Sequence, residues 1–472
     1  MKKNIVFINP NLIKPPVAPL AIEYLATTAE NYGYNPIVLD LNTSSLKVNK
    51  QINDFFKKET NIYAVCITIR NIDDASYINK TFFLKEYKNI TDLVIKSTNA
   101  PIIIGGNGFS ISTISVLKFL NIDLGIYGEG EISLVNLLDT INDSQNFSKI
   151  PGLIYKNICG DFIVNKQSFS DFRQIPIERK YIDNLFYYKN GAQVGIELSR
   201  GCASNCSFCV EPMIKGRKVR LRKIINIKNE IKQLLDMGID HIHLCDSEFN
   251  QNPDHLKKFC FMLIKHNFNE KLKWYAYGIP KDINRNMAEL LVRSGCNGVN
   301  FGVDSCNDII LKNLGRNFTY HDIEKTAKSC RQAKLPFMFD MLFGTPLETK
   351  KTIIETIDKI KNLDPDKTGI TIAVRLYNNT RMIDDIKKLH KNTYKKYLYG
   401  KLDNNSDFLE PVFFSSMDPK LIYYIIQKKC ANDTRFLFDF HKDEKLSYNY
   451  IDHKYLSKKI KEGNKGAFWS IL

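Results

Sequence analysis

The sequence predicts an α/β protein with an N-terminal doubly wound parallel sheet of Rossmann-like type, then a partial (β/α)6 barrel, then a small C-terminal α-rich region. Two observations predict the sheets: short apolar runs alternate with helical patterns in residues 1–145, and the alternation returns six times within residues 191–385. Strands that alternate with helices form parallel sheets, because each crossover brings the chain back to the same edge. A third observation, an irregular stretch at 386–472 rich in Lys, Tyr, Phe and Asn, predicts a capping region.

The first half contains five predicted strands, and ligands of such sheets bind in the crevice at the carboxyl ends of the strands. The strands are expected at Asn4–Ile8, Pro36–Leu41, Tyr63–Ile69, Ile102–Gly105 and Asp123–Tyr127. Polar or glycine-rich segments follow several of them, and glycine lets a backbone approach a ligand closely, although each glycine pair alone is also typical of a plain turn. The candidate binding residues in this crevice are Arg70, Asn71, Gly105, Gly106, Gly128, Glu129, Gly130 and Glu131.

A segment without helical periodicity, residues 146–190, is expected to be a linker, since Pro151-Gly152 near its start is a turn signal. Six strands of the partial barrel follow it. They are expected at Val194–Leu198, Ile239–Leu244, Leu272–Tyr277, Gly298–Val303, Phe337–Phe343 and Ile370–Arg375. In a barrel of this kind the active site lies at the carboxyl ends of the strands, so the loops after these runs are the candidates for chemistry.

The most specific motif is a C-x3-C-x2-C spacing directly after the first of these strands, formed by Cys202, Cys206 and Cys209. Four cysteines normally hold a [4Fe-4S] cluster, so three would leave one iron open to a substrate or cofactor. A structural zinc site is the alternative, with a fourth ligand from Cys245, His241 or His243. A disulfide framework is not expected, because the cysteine count of 11 is odd and the chain begins on a strand rather than a secretory signal.

The excess of basic residues that gives the net charge of +16 occurs after residue 150, because the first 150 residues hold equal numbers of acidic and basic side chains. The densest basic run is Lys215–Lys223, which follows the cysteines. A basic domain can bind nucleic acid, but the other lysines are dispersed as on a solvated surface. A local role, offsetting the negative charge of cluster thiolates and of a cofactor carboxylate, is therefore favoured for this run. No apolar run is long enough to cross a bilayer, and a reducing cytoplasm is the expected compartment.

With these motifs the chain resembles the radical S-adenosylmethionine (SAM) enzymes that carry an N-terminal cobalamin-binding domain, and among them the tryptophan-methylating type. The resemblance implies that Cys202, Cys206 and Cys209 hold the cluster, with Phe208 as the family's usual aromatic before the last cysteine. In that family the methionine amine and carboxylate of SAM chelate the open iron.

The same resemblance implies further SAM contacts after later strands. Glu248, with Asp246 as second choice, is expected to receive the methionine amino group, and Asp304 with Ser305 to contact the ribose. Gly344–Thr349 resembles a glycine-proline turn near the cofactor. Arg375 begins a segment that matches the family's Arg-x-Tyr pattern only in part. The alternative for each isolated acidic residue is a helix cap or a surface charge.

For the N-terminal half the resemblance rests on Pro16–Ala21, Gly105-Gly106 and Gly128–Glu131. There is no D-x-H-x-x-G sequence, so no loop histidine is expected to bind cobalt from below. The resemblance places Arg70 near the lower face of cobalamin, where a cation that does not coordinate would leave cobalt weakly ligated. An ion pair of Arg70 with Asp73 or Asp74 is the structural alternative.

Four regions follow from the resemblance: a cobalamin-binding domain (1–145), a linker (146–190), a radical SAM barrel (191–385) and a C-terminal cap (386–472). The implied activity is methylation of a carbon or phosphorus centre of a small molecule or peptide by way of methylcobalamin. Flavodoxin or ferredoxin is the expected reductant. A cyclisation or rearrangement without net methylation is the alternative within the family, and a zinc-stabilised nucleic-acid-binding protein is the alternative outside it.

Methylthiolation of tRNA needs a second cysteine-bound cluster in the N-terminal domain, and only Cys66 lies in residues 1–150, which argues against it. The substrate itself stays open. Trp274, Tyr275 and Tyr277 could line its pocket, although aromatic residues on a barrel strand more often belong to the core.

Overall fold

The computed structural model describes residues 2–142, 144–169, 177–439 and 444–472. By its internal contacts the chain divides into two compact units. The N-terminal unit comprises Met1–Asp74, Thr81–Ala192 and Met213–Gly216, and the C-terminal unit comprises Ala75–Lys80, Gln193–Pro212 and Arg217–Leu472.

The N-terminal unit is built on one seven-stranded sheet in the order β2-β1-β3-β4-β5-β6-β7. The first five strands are parallel, and β6 and β7 are antiparallel to their neighbours. The strands are β1 (Asn4–Asn9), β2 (Asn35–Asp40), β3 (Ile62–Thr68), β4 (Ile102–Gly105), β5 (Leu124–Ile126), β6 (Leu153–Lys156) and β7 (Phe162–Val164). The helices are α1 (Leu20–Asn31), α2 (Val48–Lys58), α3 (Leu84–Ser97), α4 (Asn107–Ile111), α5 (Thr113–Leu120), α6 (Glu131–Thr140) and α7 (Asn184–Lys189).

The strand β1 lies at the point where the strand order reverses, between β2 and β3. Its residues Ile5–Ile8 are all buried, as expected for a parallel strand covered by helices on both faces. In a 2-1-3-4-5 order the crevice opens at the carboxyl ends of β1 and β3. The segments after these two strands are Pro10-Asn11 and Ile69–Asn71, so the topology puts Arg70 beside the expected ligand crevice.

Residues 146–190, predicted to be a linker, instead contribute two strands and a helix to the N-terminal unit. Leu153 and Ile154 of β6 are fully buried, and Tyr187 of α7 donates a 2.8 Å hydrogen bond from its hydroxyl to Asp40. These elements are only three to six residues long, too short for a periodic signal in the sequence. Residues 170–176 of this segment lie outside the described residues.

The C-terminal unit is built on a seven-stranded parallel sheet in the order β19-β15-β14-β13-β12-β11-β8. The strands from residue 193 onward are β8 (Val194–Ile196), β9 (Ser199–Arg200), β10 (Arg220–Leu221), β11 (His241–Leu244), β12 (Lys273–Gly278), β13 (Cys296–Asp304), β14 (Phe337–Phe343), β15 (Lys367–Ile372), β16 (Val374–Arg375), β17 (Leu398–Gly400), β18 (Val412–Phe414) and β19 (Phe436–Phe438). The helices from residue 193 onward begin with α8 (Glu211–Lys215), whose residues from Met213 are assigned to the N-terminal unit. The others are α9 (Ile224–Asp236), α10 (Pro253–Lys265), α11 (Arg285–Arg293), α12 (Asp308–Asn313), α13 (Tyr320–Ala333), α14 (Lys350–Leu363), α15 (Arg381–His390), α16 (Pro419–Cys430), α17 (Lys454–Lys461) and α18 (Phe468–Ile471).

The predicted fold class, a doubly wound sheet followed by a partial barrel, is confirmed. The six predicted barrel strands appear as β8 and β11–β15. A seventh strand, β19, comes from the predicted capping region and pairs in parallel with β15. Its three residues, Phe-Leu-Phe, resemble any short apolar run in the sequence. None of the helices in the described residues combines the length and the apolar character needed to cross a membrane.

A buried ion pair joins the strand β10 region to helix α9. The side chains of Arg222 and Glu230 are almost completely buried, and a guanidinium nitrogen of Arg222 donates to the Glu230 carboxylate. Removing one partner of such a pair leaves a buried charge without compensation.

We therefore expect Glu230→Ala to lower the free energy of unfolding by about 3–5 kcal/mol, the range for a broken buried ion pair. The matched control is Asp236→Ala on the same helix, where Asp236 is 63% and Lys232 66% exposed; its cost should stay below about 1 kcal/mol. Urea unfolding followed by circular dichroism measures both. Equal losses in the two variants would contradict the prediction.

Candidate functional site

The three motif cysteines lie on a loop at the carboxyl end of β8, the first strand of the partial barrel. Cys202 is buried, whereas Cys206 and Cys209 are partly exposed, and all three thiols are free. The loop begins after β9, which pairs antiparallel with β10, and ends at α8. This is the edge at which barrel enzymes carry out chemistry.

Backbone hydrogen bonds fix the loop between distant parts of the chain. The Ser207 amide donates to the Leu314 carbonyl at 2.8 Å, and the Ser207 carbonyl accepts from the Met382 amide at 2.8 Å. The Ala203 amide donates to the Gln251 side chain at 2.8 Å. Three separate segments of the C-terminal unit therefore hold the motif in place.

Gly315 lets the segment after α12 pack directly against the cysteine loop. Its φ of +77° suits a glycine at the end of a helix. A Cβ at this position would lie 2.2 Å from the Asn205 carbonyl oxygen, which is far inside van der Waals contact. The close approach brings the next residue, Arg316, to the cysteines.

Arg316 is a site residue that the sequence analysis missed. One guanidinium nitrogen, Nη1, lies 3.3 Å from the Cys206 Sγ, and Nε donates to Asp304 Oδ2 at 2.5 Å. The guanidinium also lies 5.6 Å from the ring centroids of Phe208 and of Phe318. The contact with Cys206 spans 110 residues of sequence, and a lone Gly-Arg pair carries no signal for it.

Burial is the main influence on the motif thiols. It raises the pKa of Cys202, and it raises the pKa of Cys206 to about 11 and that of Cys209 to about 12, while Arg316 acts in the opposite direction on Cys206. Thiols in such a place become thiolates when positive charge binds among them, as iron does in a cluster. The donor set therefore fits an iron–sulfur cluster.

Glu248 and Asp246, the two candidates for the SAM amino group, have different partners. Asp246 is buried and accepts from the Leu198 amide at 2.7 Å and the Ser199 hydroxyl at 2.5 Å, so it ties β8 to the end of β11. Glu248 is partly exposed and faces the charges of Arg316 and Asp304. Burial raises the pKa of Glu248 to about 7. Of the two carboxyl groups, Glu248 is the one oriented towards the cysteine loop.

Asp304 and Ser305, expected to contact ribose, are both engaged within the protein. Asp304 pairs with Arg316, and its φ of +63° at the end of β13 follows a register shift after Gly302. The buried Ser305 hydroxyl lies 3.3 Å from the Thr356 hydroxyl on α14 and accepts from the Asn307 amide at 3.2 Å. These contacts hold the turn after β13.

In the glycine-proline turn after β14, two buried polar atoms, Thr345 Oγ1 and Glu348 Oε1, have no hydrogen-bond partner among the described residues. The other Glu348 oxygen accepts from the Gly344 amide at 2.5 Å and the Thr345 amide at 3.1 Å, and burial raises the pKa of Glu348 to about 8. Unpartnered buried polar atoms at the carboxyl end of a barrel strand fit a polar cofactor such as SAM.

Arg375 and Phe208, two further predicted cofactor residues, pack within the C-terminal unit. Arg375 is buried, donates from Nη2 to the Phe408 carbonyl at 2.9 Å, and lies over the Tyr377 ring at 4.6 Å. Phe208 is partly buried against the apolar cluster around β18. Both side chains connect the cysteine end of the barrel to residues 376–414.

The inner face of the partial barrel carries a polar cluster. The Tyr448 hydroxyl donates to Asp340 on β14 at 2.6 Å, and the His243 ring lies 5.0 Å from that of Tyr277. The Asn300 amide is buried next to Tyr277 and Asp340, and neither of its polar atoms makes a hydrogen bond of good geometry to a described residue. Burial lowers the pKa of His243 to about 4 and raises that of Asp340 to about 7, so the imidazole is neutral at physiological pH.

Trp274 and Tyr275 are core residues, whereas Tyr277 is open. Trp274 is fully buried and donates from Nε1 to the Ser294 carbonyl at 3.0 Å. Tyr275 packs in the cluster with Met338 and Trp469. Tyr277 is 41% exposed on the inner face. Of the three aromatic residues on this strand, Tyr277 alone is in a position to meet a small molecule.

In the N-terminal unit the segment after β3 is fixed by the segment after β4. The Gly108 amide donates to the Ile69 and Arg70 carbonyls at 2.9 Å each. Gly106 has a φ of +101°, and a Cβ there would lie 2.5 Å from the Ile69 oxygen. Glycine at 106 and 108 therefore allows the close packing that positions Arg70 and Asn71.

The Arg70 guanidinium contacts its neighbour Asn71, whose amide oxygen accepts from Nη1 at 3.2 Å. Arg70 is partly exposed at the carboxyl end of β3. Its position is compatible with contact to a bound ligand.

The remaining crevice residues serve the turn into α6 and the end of β1. Gly128 has a φ of +79° and donates from its amide to the Ser110 hydroxyl at 2.9 Å. The acidic residues Glu129 and Glu131 are buried where α6 begins, a position that favours negative charge, with Gly130 between them. After β1, Asn11 is buried with its Nδ2 unpartnered among the described residues. A buried donor in this crevice fits a ligand rich in hydrogen-bond acceptors, as cobalamin is.

The structure bears on two expectations, the role of the basic run Lys215–Lys223 and the alternative of a zinc site. The cation that contacts a motif thiol is Arg316, whereas in the basic run Arg222 pairs with Glu230 and Arg217 is exposed. In the described part of the chain no three His, Cys, Asp or Glu side chains are close enough to hold one metal ion. The side chains considered for zinc make other contacts: His241 Nδ1 lies 2.6 Å from Asp240 Oδ1, and the His243 ring contacts Tyr277.

The raised pKa of Asp340 predicts a pH dependence of stability. Its ordinary pKa is 3.8 and burial raises it to about 7, so the folded protein holds a proton that the unfolded chain releases between these values. Asp340 therefore stabilises the fold most below pH 3.8, and this contribution is lost as the pH rises to 7, by about 1.4 kcal/mol per pH unit at most. Urea unfolding of the wild type and of Asp340→Asn at several pH values measures it.

We expect the wild type to lose stability relative to Asp340→Asn as the pH rises, and the difference to level off above pH 7. The control is Asp236→Asn, because Asp236 is 63% exposed and should show no such trend. A difference between wild type and Asp340→Asn that stays constant from pH 4 to pH 8 would contradict the prediction.

Comparison with known proteins agrees with this geometry. The model of the radical SAM superfamily matches residues 196–360, which include the cysteine loop and strands β11–β14. The tryptophan 2-C-methyltransferase of Streptomyces laurentii is 28% identical over 79% of this chain and 73% of its own length. Similarity to this methyltransferase thus extends well beyond the superfamily match.

Among solved structures, the methyltransferase TsrM from Kitasatospora setae with cobalamin and a [4Fe-4S] cluster matches at a TM-score of 0.86 and 25% identity, covering 100% of this chain and 97% of TsrM. The TsrM structure with tryptophan and a SAM analogue matches at 0.87 and 26% identity, over 99% and 97%. OxsB with aqua-cobalamin, at 0.73 and 16% identity over 89% of this chain and 65% of OxsB, shares the fold. The chain therefore contains a radical SAM domain in residues 196–360 and shares the architecture of the cobalamin-bound methyltransferase TsrM.

Proposed function

We propose that this protein is a cobalamin-dependent radical SAM methyltransferase that acts on a carbon centre of a small molecule. The observation that carries the proposal is the match to TsrM over the whole chain, with the C-x3-C-x2-C loop at the carboxyl end of the first barrel strand. When bound, SAM supplies the methyl group, cobalamin carries it, and the [4Fe-4S] cluster supplies electrons.

The residues of the C-terminal unit would bind the cluster and SAM. Cys202, Cys206 and Cys209 supply the thiolates, and Glu248 is the carboxyl group that faces the same loop. The unpartnered Thr345 Oγ1 and Glu348 Oε1 support a polar ligand near the turn after β14. Asp304 and Ser305 act through the turn they stabilise, because their side chains are engaged within the protein.

The residues of the N-terminal crevice would bind cobalamin. Asn11 offers a buried amide donor, and the glycine-rich ends of β4 and β5 hold the neighbouring segments in place. Arg70 is a cation and cannot bind cobalt through a lone pair at neutral pH. A lower face that meets Arg70 rather than a histidine would leave cobalt weakly ligated, which eases transfer of a methyl group.

The substrate proposed is a small molecule held at the inner face of the partial barrel. Tyr277, Asn300 and Asp340 offer hydroxyl, amide and carboxyl groups there, and Tyr277 is open. This set is suited to a substrate with at least one N–H or O–H donor, because the Asp340 carboxyl and the Asn300 oxygen can accept. Tryptophan, the substrate in the TsrM structure, is such a molecule.

The reductant and the compartment follow from the cluster. A low-potential donor such as flavodoxin or ferredoxin is proposed, because the cluster must be reduced to act. None of the eleven cysteines, all of which lie in the described part of the chain, forms a disulfide, which supports a reducing cytoplasm.

Cluster assembly should need all three motif cysteines. We expect Cys206→Ala, like the Cys202 and Cys209 variants, to lose the broad visible absorption of the cluster and most of its iron, while wild type holds about four irons per chain. Anaerobic reconstitution followed by iron analysis measures this. Cys245→Ser is the control and should load normally, since Cys245 lies at the end of β11 outside the motif. Full iron content in Cys206→Ala would overturn the assignment.

Cobalamin binding tests the N-terminal half. Purified protein should bind about one cobalamin per chain in the crevice of the sheet. Paramagnetic resonance of the cob(II)alamin form should show no splitting from a protein histidine nitrogen. Arg70→Lys keeps the charge but loses the planar fork, so it should retain cobalamin and transfer labelled methyl about tenfold more slowly, as for a loss of about 1.4 kcal/mol.

The control for this test is Lys118→Gln, which removes an exposed positive charge on α5 of the same unit. It should leave cobalamin binding and methyl transfer unchanged. A clear histidine splitting would contradict the role of Arg70. Failure of cluster-loaded protein to bind cobalamin would contradict the methyltransferase itself.

A further inference from the structure

Arg316 is a charged residue that contacts the cysteine motif but was not among the site residues predicted from the sequence. It is 8% exposed, and its Nη1 lies 3.3 Å from the Cys206 Sγ. A cation this close to one cluster thiolate differs from a dispersed surface charge, because burial removes most of the screening by water.

Arg316 is held from several sides. Asp304 accepts its Nε at 2.5 Å, and the rings of Phe208 and Phe318 lie 5.6 Å from the guanidinium carbon. The left-handed φ of Asp304, +63°, is rare for a residue other than glycine and places this carboxylate at the end of β13. Unusual backbone conformations persist where surrounding contacts enforce them. The guanidinium is thus positioned rather than free to move.

Negative charges also lie near the motif. Glu248 and Asp304 both face the Arg316 guanidinium, and three thiolates would carry the cluster. Each electron added to such a cluster increases the negative charge. Hydrogen bonds to the sulfurs and the net local charge are two of the features that set the potential of an iron–sulfur cluster.

We infer that Arg316 is a positioning residue that raises the reduction potential of the cluster by donating a hydrogen bond to the Cys206 sulfur, and that Asp304 holds it there. The inference rests on the cluster of the proposed function. It assigns Asp304 a role in orienting Arg316, in place of the ribose contact expected from the family resemblance.

The test is the midpoint potential of the reconstituted cluster, measured by a redox titration followed by paramagnetic resonance. In Arg316→Gln we expect the equilibrium constant for one-electron reduction to fall about tenfold, which is about 59 mV to lower potential. Arg316→Lys keeps the charge but cannot hold Asp304 and Cys206 with one planar fork, so a smaller shift in the same direction is expected.

The matched control is Arg217→Gln, which removes an equal charge from an exposed side chain near the cysteine loop, 3.4 Å from the Ser204 carbonyl. Its potential should equal that of the wild type. An unchanged potential in Arg316→Gln with full iron content, or an equal shift in Arg217→Gln, would overturn the inference. Wild-type protein that binds no cluster would instead overturn the proposed function, so the two failures are distinguishable.

Arg316→Gln leaves the buried Asp304 carboxylate without its partner and can fail to fold for that reason alone. The comparison of Asp304→Asn with the double variant Asp304→Asn/Arg316→Gln removes this difficulty, because neither protein contains an unpaired buried carboxylate at 304. The double variant should have the lower potential, again by about tenfold in the equilibrium constant. Equal potentials in these two proteins would overturn the inference.

Discussion

The position of the cysteine loop depends on backbone hydrogen bonds to two remote segments of the C-terminal unit. Ser207 donates to Leu314 and accepts from Met382, so the loop after β8 is fixed by the ends of α12 and by the start of α15. The loop has little regular structure of its own, and the antiparallel pair β9–β10 that flanks it is two residues long. A rigid barrel edge therefore supplies the geometry that the loop sequence alone cannot, as is usual for functional loops.

Packing at this edge decides which charges meet. Gly315 has no side chain to collide with the Asn205 carbonyl, and the chain can approach closely enough for Arg316 to reach Cys206. The same approach brings the guanidinium to Asp304. Burying one cation among several acidic groups is stabilising only when geometry and partners are good. The pairing at 2.5 Å and the flanking rings of Phe208 and Phe318 meet that condition.

Much of this arrangement was predictable because two local signals are strong in the sequence: the apolar runs of buried strands and the spacing of the motif cysteines. Buried parallel strands such as Ile5–Ile8 and the motif spacing at 202–209 are local features, and both were located correctly. The strands β6, β7 and β19 were missed because runs of three or four residues carry too little pattern. Side-chain partners were missed for a different reason: Arg316 and Cys206 are 110 residues apart, and only the folded sheet brings them together.

Asp304 shows that a position at a strand end can be predicted from the sequence, whereas the partner of its carboxylate cannot. The sequence placed it correctly at the carboxyl end of β13, where ligands of parallel sheets are found. The family resemblance then suggested a ligand hydroxyl as its partner, whereas in the structure its carboxylate accepts from Arg316. A buried carboxylate requires a compensating donor whether or not a ligand is present. An acidic residue at such an edge is therefore as well suited to orient a neighbouring cation as to bind the cofactor, and the choice depends on whether a cation can reach it.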